Sequence, residues 1–241
     1  MIRKIQFTPG SYYHIYNRSN DERSIFLDEK DYARFLFLIL FYQASVPLYN
    51  LGLQTSYFVK HSMFNISAKT LQNIIMARRV ELNSFAIMPN HFHLFLQEKD
   101  KKGISFYLQR IQNGYAKYFN AKHAKRGHLF QGAFRAVPVE TDEQLLYLSA
   151  YIHRNPREIA EWKDKEAKYP WSSYQDFIGK NRWNELLRPN IILDHFSGAK
   201  DYYEFVETST AKIKPSELKT FAKDFFLEDV RHRMSNISSD V

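Results

Sequence analysis

"LNSFAIMPNHFHLFLQ", residues 82–97, decides the fold. Two apolar runs, 82–88 and 91–97, are parted only by Pro89 and Asn90, which predicts an antiparallel hairpin. Side chains alternate along a strand, so His91 and His93 share one face and Phe92 takes the other. Outward from this hairpin, "SYYHIYNRS" (11–19) reads as a strand and "DEKDYARFLFLILFYQ" (28–43) as a helix with an acidic first turn. On the other side lie a long helix over 104–125, a strand over 133–140 with Pro138 near its end, and a helix over 141–155 capped by Thr141 and stopped by Pro156. The order contains β-α-β-β-α-β. This predicts an α+β, ferredoxin-like antiparallel sheet with helices on one face, plus an extra helix and a C-terminal helical tail over 198–228. Residues 45–80, with Pro47, Gly52 and a helical pattern over 67–80, read as an insertion of uncertain order.

Composition narrows the function classes. The 241 residues, 44% hydrophobic and 16% aromatic, can bury a real core. The absence of cysteine excludes a disulfide framework, a thiolate zinc site and a cysteine nucleophile. With no long apolar run and no apolar signal core, the chain is expected to be soluble and cytoplasmic and not associated with a membrane. A net charge of +8 suits an anionic partner. The charge is concentrated: from Lys101 to Val139 there is no acid, whereas Arg110, Lys117, Lys122, Lys125, Arg126 and Arg135 all fall inside. A solvated helix face would show the same run.

The paired imidazoles could direct nitrogens at one metal ion. Alone, such a pair is more often two satisfied or surface histidines. It gains weight from the helix over 141–155, where Tyr151 and Asn155 are four apart and share a face. Asn155 offers an amide oxygen to a cation, although capping the helix end also explains it. Tyr151 fits a core position as well; as a nucleophile its phenol needs help, since its ordinary pKa is near 10. A divalent cation would polarise a phosphodiester for attack by the phenolate. Tyrosine suits strand transfer better than hydrolysis, because a phosphotyrosyl bond conserves the energy needed to reseal a strand.

"MPNHFHLFL", "GHLFQGAFRAV" and "YIHRNP", in that order, resemble the IS200-like single-tyrosine transposases, and within them the REP-associated tyrosine transposase branch. "YYHIYNRSNDERSIFLDEKDYARFL" and "YPWSSYQDFIG" are similar to the same group, so the resemblance spans roughly residues 10–180. It implies a catalytic domain over 1–180 and a helical extension over 181–241. It also implies a metal site of His91, His93 and Asn155 for Mg2+ or Mn2+, and Tyr151 as the nucleophile that takes the 5′-phosphate. The implied partner is single-stranded DNA with imperfect hairpins, and the protein is a monomer or a homodimer. Asn17 and Arg18, in a family-like "NRS", Arg110, Lys117, Lys122 and Lys125 of the basic run, and Arg126, His128 and Arg135 are candidate DNA contacts; Tyr115 and Tyr118 fit base stacking and helix packing equally. Two other classes remain open: a non-catalytic binder of hairpin DNA or RNA, and a metal-dependent hydrolase that uses water and leaves Tyr151 structural.

Overall fold

Strands β1 (Tyr12–Arg18), β2 (Val80–Met88), β3 (His91–Glu98) and β4 (Arg135–Val139) form one sheet in the order β2-β3-β1-β4, every neighbouring pair antiparallel. That is the strand order of the ferredoxin-like arrangement, and the molecule is α+β. The computed structural model describes residues 5–47 and 49–211. The expected tail over 198–228 is seen as a helix over Ala199–Thr208, and its part beyond 211 lies outside the described residues.

Both faces of the sheet are covered. Helices α1 (Glu29–Phe41) and α4 (Gly103–Lys122) supply one large apolar cluster together with Ile15, Phe92 and Leu94 of the central strands. Asp28 caps α1 by accepting from Asp31 N at 3.0 Å. Helix α5 (Asp142–Arg154) covers the opposite face: Leu145, Leu148 and Ile152 share a second cluster with Phe95 and Ala86. The alternation of β3 makes both clusters possible, since Phe92 and Leu94 serve one and Phe95 the other.

Every residue from Phe35 to Phe41 is buried, so α1 is apolar around its whole circumference. A helix of that kind has to be covered on its outer side too. The stretch expected as an insertion of uncertain order does this with two helices, α2 (Leu51–His61) and α3 (Ala68–Met76). Phe37 meets Phe58 and Phe64 at 5.5 Å each, and Phe58 and Phe64 in turn meet Trp183 at 5.6 and 5.3 Å.

The edge of β2 is closed by residues 171–173, where Ile87 N donates to Trp171 O and Ser173 N to Phe85 O. Beyond them come α6 (Tyr174–Ile178), α7 (Asn190–Leu193) and α8 (Ala199–Thr208), the last packed by Tyr202, Phe205 and Val206 into the cluster beneath α5. No helix among the described residues is long and apolar enough to cross a membrane.

Candidate active site

The site lies where α5 crosses β1 and β3. Tyr12, His14 and Tyr16 of β1 and His91, His93 and Phe95 of β3 stand on one face, with Tyr16 opposite His93 and His14 opposite Phe95 in the register. Packing of Leu145, Leu148 and Ile152 seats α5 on that face and brings Tyr151 to the histidines. The Tyr151 ring meets His93 edge-on, with centroids 5.4 Å apart and planes at 89°, and meets His14 at 5.9 Å. His91 and His93 are 5.1 Å apart, centroid to centroid. The structure thus gathers three of the four residues expected to do the chemistry.

Asn155 follows the last turn of α5 and is fully buried. Its Nδ2 donates to Tyr151 O at 2.8 Å and to Ile152 O at 3.4 Å. Those two carbonyls fix which end of the amide faces the helix, because an amide oxygen cannot donate to them. The remaining atom, Oδ1, is buried with no hydrogen-bond partner among the described residues. Leaving such an acceptor unmet costs roughly 1–3 kcal/mol, so an oxygen-seeking ligand would be favoured there. No group of three or more His, Cys, Asp or Glu forms a metal site among the described residues. Two imidazoles and an amide oxygen would be a donor set that suits Mg2+ or Mn2+.

Tyr151 is buried, and burial pushes its phenol well above the ordinary tyrosine value, with Glu158, Tyr16 and Tyr147 adding in the same direction. The side chain is a phenol at neutral pH. Attack on phosphorus requires that its proton be lost or shared as the new bond forms.

The expected DNA contacts sort into two groups. Lys117, Lys125, Arg126, His128 and Arg135 are exposed, and His128 lines a cleft of about 560 Å3 between α4 and the 127–132 loop. Arg18 is also exposed, although it bonds Glu22 and Gln131. The others are engaged by partners within the chain. Lys122 Nζ bridges Asp28 and Asp31 at 2.7 Å. Arg110 donates to Ala44 O and lies 4.1 Å over the Tyr42 ring. Asn17 is buried, donating to Gly132 O and accepting from Arg18 N. Tyr115 is wholly buried with its hydroxyl on Ile25 O, so its ring packs in the core and has no face to offer a base.

Two residues of the site were not singled out from sequence. His14 is 2% exposed and its Nε2 lies 2.9 Å from His93 Nδ1. Asn90, in the hairpin turn, puts Oδ1 2.7 Å from His91 Nδ1. The alternation in "YYHIY" places His14 on a strand face, but only the pairing of β1 with β3 says whose neighbour it is.

Residues 53–155 match the family model described as "Transposase IS200 like", a range that contains His91, His93 and Tyr151 and ends on Asn155. No curated protein matches the chain. Among solved structures, one of a REP-associated tyrosine transposase bound to a REP hairpin is similar over 76% of this chain and 87% of that one, at 15% identity and a TM-score of 0.49. Over residues 53–155 the chain is therefore similar to the IS200-like transposases.

Proposed function

We propose that this protein is a divalent-metal-dependent nuclease and strand transferase that cuts single-stranded, hairpin-bearing DNA through Tyr151. The observation that carries this reading is the placement of the Tyr151 ring edge-on against His93, beside His91, on one face of the sheet. His91, His93 and Asn155 would hold Mg2+ or Mn2+, which when bound supplies charge that polarises the phosphodiester. Tyr151 Oη forms the new bond to phosphorus and gives up its proton, while the bond to the 3′-oxygen breaks and that oxygen leaves as a hydroxyl. The 5′-phosphate is then joined to Tyr151, and attack by a 3′-hydroxyl reverses the step and reseals a strand. The packed surroundings of Tyr151 limit access of water to that linkage. Asn at position 155 and the "YIHRNP" motif are similar to the REP-associated branch, so imperfect palindromic hairpins are the substrate class of choice.

The test is a denaturing gel of full-length protein with end-labelled single-stranded hairpin DNA, with and without Mn2+, alongside Tyr151→Phe. A covalent band that needs both Mn2+ and Tyr151 is expected. Cutting that survives Tyr151→Phe would point to a water nucleophile, and tight binding without cutting across a panel of hairpins would point to a non-catalytic binder.

A further inference from the structure

Each histidine of the pair is gripped at the same ring nitrogen. His91 Nδ1 lies 2.7 Å from Asn90 Oδ1, and the Asn90 amide is oriented in turn because its Nδ2 donates to Glu22 O at 3.0 Å. An amide oxygen only accepts, so the proton of this bond sits on His91 Nδ1 and the lone pair sits on Nε2. His93 Nδ1 lies 2.9 Å from Nε2 of His14, which stacks on it with centroids 5.1 Å apart and planes at 22°. Between two imidazoles the proton can sit on either nitrogen. Only one arrangement, with His93 donating from Nδ1 and His14 accepting, leaves His93 a lone pair on Nε2 with which to bind a cation.

We infer that Asn90 and His14 are positioning residues of the cation site, which set the Nδ1–H tautomer of His91 and His93 and fix both rings so that each offers Nε2 as the ligand atom. This rests on the cation site proposed above. The two devices come from separate elements, the β2–β3 turn and β1, yet impose the same tautomer. Outer partners of this kind raise ligand basicity and fix ring orientation, and their loss typically weakens metal binding roughly 10–100-fold.

The experiment uses full-length protein and Mn2+ alone, titrated calorimetrically without DNA. His14→Phe keeps a ring of similar size and removes the acceptor, and Asn90→Ala removes the other. Both are expected to bind Mn2+ at least about 10-fold more weakly, whereas His14→Gln and Asn90→Asp, which retain an acceptor, stay within a few-fold of wild type. Long-range proton–nitrogen correlation spectra of the metal-free wild-type protein should show Nδ1–H on both His91 and His93, a readout that needs no variant to fold. Unchanged Mn2+ affinity in His14→Phe and Asn90→Ala, or an Nε2–H tautomer at His93, overturns the inference while leaving the cation site intact. A wild-type protein that binds no Mn2+, or binds it equally after His91→Ala and His93→Ala together, overturns the cation site itself and the inference with it.

Discussion

Asn155 has one end of its amide satisfied by Tyr151 O and Ile152 O and the other end buried and open. Asn155→Ala is expected to lose roughly 1 kcal/mol of stability with those bonds and to weaken Mn2+ binding about 10-fold or more, read by chemical denaturation and calorimetry. Two residues earlier, His153 is fully buried between Ser173 and Tyr202. Ser173 Oγ is 2.9 Å from Phe85 N and 3.2 Å from Phe85 O, donating to the latter, so it accepts from His153 Nε2–H, and Tyr202 donates to Nδ1. Burial lowers the His153 pKa from 6.5 to about 3. The unfolded chain therefore takes a proton that the native state refuses. Stability from this group is complete above about pH 6.5 and is lost as pH falls toward 3, by up to about 5 kcal/mol. Urea unfolding at pH 7 and at pH 4.5 should show a steeper loss in the wild type than in His153→Gln, by about 2–3 kcal/mol.

Among the elements, α4 has an unusual start. Lys102 ahead of it is in the left-handed region, φ 64°, and makes no side-chain cap. Glu98, at the end of β3, replaces that cap: its carboxylate accepts from Gly103 N at 2.9 Å and Ile104 N at 2.7 Å. Glu98→Ala strands two buried N–H groups at a helix N-terminus and is expected to cost about 2–3 kcal/mol, measurable as a lower denaturation midpoint. The neighbouring Gly103 approaches the backbone so closely that an added Cβ would lie 2.3 Å from Arg79 O. Gly103→Ala should therefore destabilise, although alanine is the better helix former. At the other end of α4, buried Asp31 accepts from Lys122 Nζ at 2.7 Å and lies 2.9 Å from His123 Nε2, which ties the helix to α1. The acid-free basic run is thus neutralised in part by acids far away in sequence.

At the scale of the molecule, α5 is held from behind by α8. Arg154 donates to Val206 O, Glu207 O and Ser209 O at the C-terminal end of α8, where a cation is favoured, and Tyr202 bonds His153. Removal of residues 199–241 should lower thermal stability and weaken Mn2+ binding together, because the helix that bears Tyr151 and leads into Asn155 loses its support. The basic surface should divide in the same way. Alanine at Lys117, Lys125 or Arg126 is expected to leave stability within about 0.5 kcal/mol and to reduce the salt dependence of single-stranded DNA binding by roughly 0.7 per lost phosphate contact. Lys122→Ala should chiefly cost stability, since it leaves Asp28 and Asp31 without their shared cation.

The sequence by itself determined the strands and main helices, the hairpin about Pro89 and Asn90, and the shared face of His91 and His93. Period and turn chemistry are local properties, so they can be read along the chain. It also placed Tyr151 and Asn155 one helical turn apart. Only the tertiary structure decided that α5 lies on the sheet face opposite α1 and α4, that residues 45–80 cover the outside of α1, and that Tyr115, Arg110 and Lys122 are spent internally. It alone brought His14 to His93, across 79 residues of sequence. Strand register and helix docking are set by contacts between distant segments, and no local pattern encodes which segments meet.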